Sequence, residues 1–245
     1  MLSLSGLEMR FEDLLVFSGF DLDLPVGGFT VMVGPSGCGK TTLLDLLTGV
    51  VAPRNGTIQW DGRQAVHLGQ AAAYMQQNDL LLPWLSLLDN ALLPATVSGR
   101  GDDRNRRDAI SLFAQFGLSG FEAYLPKAVS GGMRQRCALV RTLIFNRDLV
   151  LLDEPLSALD AITRRSLQKQ LLLLQSRFGK TLLMITHDVE EALLLADTVV
   201  VLSARPMRVI KRIAVDVPKP RPVDHPQVVA LKARILEQLE KDTQP

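Results

Sequence analysis

Phe20, Leu22 and Leu24 alternate with Asp21 and Asp23, a period of two that marks a strand with one buried face. Pro25, Gly27 and Gly28 then signal a turn. The apolar run Phe29 to Val33 reads as a short buried strand. It runs into a glycine-rich loop and then Thr41 to Thr48, a short helix that Gly49 stops. Gly56 to Gly62 reads as a strand bounded by turns. From about Asn78 to Asn146 helical spacing takes over. Met133, Cys137, Val140 and Ile144 fall on one helix face, with Arg134, Arg136 and Arg141 off that stripe. Ser98 to Arg107 is polar and basic, a loop running into a helix with a solvated face. The last hundred residues alternate strand and helix. Leu149 to Leu152, Thr181 to Ile185 and Thr198 to Leu202 read as strands, and Leu167, Leu171, Leu174 and Phe178 line one helix face. This alternation predicts a mainly parallel sheet with crossover helices. The proline-rich stretch Val217 to Pro222 reads as a linker that separates off a terminal helix carrying Val228, Leu231, Ile235 and Leu239.

Composition narrows the class. The chain has 245 residues, 47% hydrophobic and 22% charged, with 27 Lys plus Arg against 26 Asp plus Glu. A neutral, apolar-rich chain is not disordered, and its balance argues against binding nucleic acid by bulk charge. No apolar run approaches the ~18 residues of a membrane span, and Met1 to Asp13 lacks the features of a secretory signal. The two cysteines, Cys38 and Cys137, form no disulfide framework. A reducing, cytoplasmic setting is expected. A mean hydropathy of +0.16 suggests an apolar surface meant for a partner.

Three segments carry chemistry. Gly34-Pro35-Ser36-Gly37-Cys38-Gly39-Lys40-Thr41 matches the phosphate-binding loop. Its glycines let backbone N–H groups curl around phosphate oxygens, and the helix that follows presents its positive end to the same anion. Lys40 would reach the β- and γ-phosphates, and the Thr41 hydroxyl would bind Mg²⁺. Thr42 extends this set. Asp153 and Glu154 follow the apolar run Leu149 to Leu152. The first can hold Mg²⁺, and the second can polarise an attacking water. Ser130-Gly131-Gly132-Met133 offers a hydroxyl, free N–H groups and a helix dipole, an anion site or a plain helix N-cap.

In this order the segments resemble the nucleotide-binding subunit of ATP-binding-cassette (ABC) transporters, over nearly the whole chain. The loop at Gly34 to Thr41 is similar to Walker A and Leu149 to Glu154 to Walker B. Val129 to Arg136 resembles the signature sequence, although Val129 and Met133 depart from its commonest form. Ser157 to Asp160 resembles the D-loop, and Thr186-His187-Asp188 the switch histidine. Gln77, rather than Gln76, stands where the family's Q-loop glutamine belongs, judged by its distance to Pro83-Trp84. Phe11 stands where the family places an aromatic on adenine; a core phenylalanine is the alternative.

The resemblance implies an α/β fold: a phosphate-loop NTPase core with a mainly parallel sheet, an antiparallel β subdomain and an inserted helical subdomain at about 78–146. It implies an ATPase domain over 1–216, then the linker and helix at 217–245. It implies ATP and Mg²⁺ as cofactors. Glu154 would be the general base, His187 would stabilise the γ-phosphate, Lys40 would hold the phosphates, and Gln77 would sense Mg²⁺ and water. Thr41, Gln77 and Asp153 would serve the metal. Two chains would sandwich two ATP molecules, each shared between one Walker A loop and the partner's signature residues Ser130, Gly131, Gly132 and Met133; Asp160 would be a further nucleotide-binding residue. Cys38 is expected to be shielded by bound nucleotide, and Cys137 to be buried.

The stretch Asn78 to Trp84, Met133, and the tail from Leu202 to Met207 resemble the nitrate, sulfonate and taurine importer group, which includes importers of a thiamine pyrimidine precursor. That implies membrane permease subunits docking near Asn78 to Asn90, an extracytoplasmic solute-binding protein acting indirectly, and the cytoplasmic face of the inner membrane. The apolar stretch Leu80 to Leu88 reads equally as a docking surface or as helical core. A soluble ABC ATPase acting on DNA or the ribosome is the alternative. A kinase or GTPase leaves the Ser-Gly-Gly segment and the pairing of Glu154 with His187 unexplained.

Overall fold

The computed structural model describes residues 1–99, 102–157 and 159–243. Arg100, Gly101, Ala158, Gln244 and Pro245 lie outside these, and with them parts of the basic segment, the D-loop and the chain end.

The first two strands, β1 (Leu2–Phe11) and β2 (Leu14–Leu24), form an antiparallel hairpin. β4 (Asn55–Trp60) and β5 (Arg63–Ala65) extend it into a four-stranded sheet ordered β2-β1-β4-β5. Phe20, Leu22 and Leu24 are buried and Asp21 and Asp23 exposed, as alternation dictates. The main sheet is built from β3 (Phe29–Val33), β6 (Ala72–Met75), β7 (Leu149–Asp153), β8 (Thr181–Thr186), β9 (Thr198–Leu202) and β10 (Val209–Ala214). Their order is β10-β9-β3-β8-β7-β6, all parallel except β10. Both faces of this sheet are covered, so every residue of β3, β7 and β8 is buried.

Parity along each strand assigns the two faces. Val31, Val33, Val150, Leu152, Leu182, Met184, Val199 and Val201 belong to a core shared with the helices. Met32, Leu149, Leu151, Leu183, Ile185, Val200 and Leu202 turn the other way. They pack on α1 (Lys40–Thr48) and on the antiparallel sheet. Gly49 ends α1 at φ 85°, left-handed backbone that costs glycine nothing.

The helical insertion holds α2 (Leu87–Val97), α3 (Asp103–Gln115), a 3-10 turn (Pro126–Ala128) and α4 (Gly131–Ile144). Cys137, Val140 and Ile144 are buried, and Met133 packs at the margin of the same core. The Cys137 thiol donates to the Leu87 carbonyl at 3.2 Å and ties α4 to α2. The helix α5 (Ala161–Phe178) buries Leu167, Leu171 and Leu174. Phe178 departs from the sequence expectation at 59% exposed. It is the last residue of α5, next to the left-handed Gly179 that turns the chain away. Leu80 to Leu88 divides: Leu81, Leu87 and Leu88 join the core, while Leu80 and Trp84 stay exposed.

The linker does not hold the last helix away from the core. Arg221 is buried and donates to the carbonyls of Leu193 and Ala196 at 2.6 Å and of Val215 at 2.7 Å. Leu193 and Ala196 sit at the end of α6 (Val189–Leu195), so one guanidinium satisfies carbonyls that a helix end leaves open. Lys219 pairs with Asp197 at 2.6 Å. The final helix, α7 (Pro226–Thr243), then buries Val228 and Ile235 in the same core. Lys232 of α7 pairs with Glu190 of α6 at 2.6 Å. None of the helices among the described residues is long and apolar enough to cross a membrane.

Candidate active site

Parallel register brings the motifs together. Met75 lies beside Leu152, Leu152 beside Met184, and Val33 beside Thr186. The next residues along β6, β3, β7 and β8 therefore emerge on one edge: the Gln76-Gln77 pair, the loop Gly34 to Gly39, Glu154, and His187. This is the carboxyl edge where open α/β sheets place their ligands.

A cavity of about 410 Å³ opens there. Ser36, Gly37, Gly39, Lys40, Thr41 and Thr42 form its floor, Gln77, Asp153 and Glu154 one end, and Phe11, Leu14 and Val16 a wall. The loop needs its glycines for shape. At Gly39 φ is 122°, and a Cβ would lie 2.5 Å from Val16 Cγ1. At Gly34 a Cβ would lie 2.9 Å from Leu202 Cβ. Lys40 is held inside the loop, its Nζ donating to the Gly34 and Pro35 carbonyls at 2.8 Å each.

Cys38 does not face this cavity. It is 2% exposed and packs into the core beneath the loop, and burial pushes its thiol pKa up. The expectation that nucleotide and reagent compete at Cys38 is therefore corrected. Its backbone N–H belongs to the loop while its side chain belongs to the core.

Asp153 ends β7 at 1% exposure, and its Oδ2 is buried without a hydrogen-bond partner. Burial raises its pKa, with Glu154 and Asp45 adding to the rise, against a hydrogen bond from Thr41. A buried carboxylate oxygen with no partner, beside a threonine hydroxyl and next to a phosphate cradle, fits a hard divalent cation that takes its other ligands from water and phosphate. Among the described residues no cluster of three or more His, Cys, Asp or Glu could hold a metal alone.

Glu154 has φ 46°, rare for a residue with a Cβ. Its N–H donates to the Ile185 carbonyl at 3.0 Å, which fastens the turn to β8. The carboxylate meets His187 Nδ1 at 3.1 Å through Oε1 and Gln77 Nε2 at 3.4 Å through Oε2. The turn bearing His187 is itself braced. Thr186 Oγ1 donates to Glu191 Oε2 at 2.9 Å and accepts from the Asp188 N–H at 3.1 Å. Asp188 caps α6 by accepting from the Glu190 and Glu191 N–H groups. Glu191 is buried, and burial raises its pKa.

Phe11 is 45% exposed at the end of β1 and lines the cavity, so it is not a core phenylalanine. Ser130, Gly131, Gly132, Met133 and Asp160 do not line it. Ser130 caps α4, accepting from the Met133 N–H at 3.3 Å, and stays exposed together with Gly131. Asp160 caps α5, accepting from the Ile162 and Thr163 N–H groups at 3.0 Å each; a hydrogen bond from the Thr163 side chain, with these backbone bonds, lowers its pKa.

Sequence reasoning passed over two sets of residues. Arg134 pairs with Asp79 at 2.9 Å, and Arg141 donates to the Asp79 carbonyl at 2.6 Å and the Leu80 carbonyl at 2.8 Å. Off the apolar stripe, these arginines grip the segment just after Gln77 and tie it to α4. Leu14, Val16 and Arg205 also line the cavity; only Arg205 fell in a segment singled out from the sequence, and not as a site residue.

The ABC transporter family profile matches residues 17–157, which spans the phosphate loop, α4 and β7. The chain belongs to the ABC transporter family. It is an ATP-binding cassette and an ATPase. It is 40% identical over 232 residues to an aliphatic sulfonates import ATP-binding protein of Pseudomonas syringae, covering 94% of this chain and 92% of that one. It is 38% identical over 216 residues to a taurine import ATP-binding protein of Yersinia pestis, covering 88% and 85%. A dimeric ATP-binding cassette solved in a post-hydrolysis state with ADP and phosphate superposes with a TM-score of 0.80. That match is 25% identical and covers 89% of this cassette and all of that chain.

Proposed function

We propose that this cassette is the ATP-hydrolysing subunit of an importer for small sulfonates of the taurine or alkanesulfonate class. It works as a homodimer on the cytoplasmic face of the cell membrane, docked on separate permease subunits, with a solute-binding protein acting indirectly. The bracketing of Glu154 between Gln77 and His187, at the end of β7 and beside the phosphate loop, carries the mechanistic part of this reading.

The loop N–H groups and Lys40 hold the polyphosphate, so the charge that develops on phosphoryl transfer meets donors already in place. Phe11 stacks on the base. Thr41, Asp153 and Gln77 would hold Mg²⁺, which when bound would offset the negative charge of the phosphates. Glu154 takes a proton from the attacking water. His187, oriented by its bond to Glu154 and by the braced turn behind it, donates toward the γ-phosphate. Ser130, Gly131 and Gly132 lie outside the lining of their own cavity, and in this reading their hydroxyl and helix N-terminus serve the partner's nucleotide. The import ATP-binding relatives support the importer reading, and their sulfonate and taurine names support the solute class.

Glu154→Gln tests the base. The variant should bind ATP like the unaltered chain while turnover falls at least a hundredfold, because an amide accepts no proton. Turnover within a few-fold of normal would remove Glu154 from that role. Recovery of an integral membrane protein with the chain from detergent extract separates the importer from a soluble ATPase acting on DNA or the ribosome.

A further inference from the structure

Lys40 and Arg205 are the two cationic side chains among the described residues that line the nucleotide cavity. Lys40 is accounted for by the phosphate loop. Arg205 comes from the opposite end of the chain, on the loop 203–208 between β9 and β10. We infer that Arg205 is a second phosphate-binding cation of this site, a role that rests on the cavity being the nucleotide site.

The guanidinium donates through Nη2 to the Gly37 carbonyl, on the outer turn of the phosphate loop. A guanidinium carries five N–H donors, and this one makes no ion pair among the described residues. An arginine on the wall of an anion cavity, with spare donors and no competing carboxylate, is matched to phosphate oxygens.

Its loop is held from several sides, so the guanidinium is pre-placed. Ser203 N–H donates to the Arg208 carbonyl at 3.0 Å, and Arg208 N–H donates back to Ser203 Oγ at 3.0 Å. Met207 is buried, and its N–H donates to the Val16 carbonyl at 2.7 Å, beside the cavity wall. The Ala204 N–H donates to Asp242 Oδ2 at 2.7 Å. The last turn of α7 thereby steadies the residue next to Arg205.

The test is displacement of a fluorescent ATP analogue from the full chain by ATP and by tripolyphosphate, which has phosphates and no base. Arg205→Gln keeps an amide that can donate to Gly37 but removes the charge; Arg205→Lys keeps the charge. Arg205→Gln should weaken both ligands about tenfold or more, as loss of a charge-assisted bond implies, and Arg205→Lys should restore part of that loss. Normal affinity in Arg205→Gln, with loss in Arg205→Ala alone, would make Arg205 a clamp on Gly37 and overturn the proposal. Loss for ATP with tripolyphosphate unchanged would place Arg205 on the base or sugar and also overturn it. Lys40→Ala is the control for the underlying reading. If it binds both ligands normally, the cavity is not the nucleotide site. If it loses them while Arg205→Gln does not, the site stands and Arg205 drops out. Should Arg205→Gln fail to fold, phenylglyoxal labelling of the unaltered chain decides: tripolyphosphate should shield Arg205, and undiminished labelling would refute the contact.

Discussion

Cys38 shows how one residue can belong to a motif by its backbone and to the core by its side chain. Its side chain is buried in the core cluster that holds Leu43, Leu44 and Leu202, and it does not line the cavity. Only the thiolate alkylates, and burial disfavours it at Cys38 as at Cys137, whose pKa burial pushes up to about 12. A raised thiol pKa means less thiolate at any pH below it, so both should label slowly at pH 8 with or without MgATP. Both should label promptly in denaturant. Cys38→Ala should keep normal ATP turnover, since a small apolar replacement leaves the loop N–H groups in place. Rapid native labelling at Cys38 that MgATP suppresses would return the thiol to the cavity wall. The same residue-scale logic explains Phe11. Its place in the chain was legible, but an aromatic at a strand end reads the same whether it faces a core or a ligand.

At the scale of elements, the tail is the part least legible from the chain. Prolines between Val217 and Pro222 are the composition of a linker, and nothing local says that Arg221 turns inward. Two of its four acceptors, Val215 and Val217, are close in sequence, but the other two, Leu193 and Ala196, lie 28 and 25 residues away at the end of α6. Burial lowers the Arg221 pKa, with Asp197 and Asp216 opposing. Arg221→Ala leaves those carbonyls short of a buried donor and should cost about 3 kcal/mol. For a chain of this size that is a fall of roughly 6–12 °C in melting midpoint, read by circular dichroism. An unchanged midpoint would mean that the linker is free, as its composition suggested. The strands and most helices, by contrast, were legible as periodicities. β1, the short β5 and β6, and the antiparallel β10 were not: the burial alternation of β1 breaks at Ser5-Gly6, Arg63–Ala65 and Ala72–Met75 are too brief to show alternation, and β10 is half-exposed.

The whole molecule poses the question of the second copy. One chain presents a phosphate loop inside its cavity and a second helix N-terminus, capped by Ser130, outside it. If the two serve one nucleotide between two chains, Glu154→Gln should accumulate as an ATP-dependent dimer, visible as a doubled mass by light scattering. Adding Ser130→Arg should abolish that dimer while each monomer still binds ATP. Survival of the dimer would leave Ser130 as a helix cap alone, whose loss costs only ~1 kcal/mol.

By itself the sequence determined the kinds of chemistry present: a phosphate loop, a carboxylate pair at a strand end, a histidine after another strand and a capped Ser-Gly-Gly helix. These are local, because glycine spacing and apolar runs constrain the backbone within a few residues. It also determined the parallel α/β core, since strand and helix periods differ. Only the tertiary structure decided which of these groups meet. Gln77, Glu154 and His187 converge because β6, β7 and β8 lie side by side in register. Arg205 reaches the phosphate loop because β9 pairs with β3 and stops at the same edge. Contacts of that kind depend on strand order and register, which are set by burying both faces of one sheet at once, and no single segment contains that information.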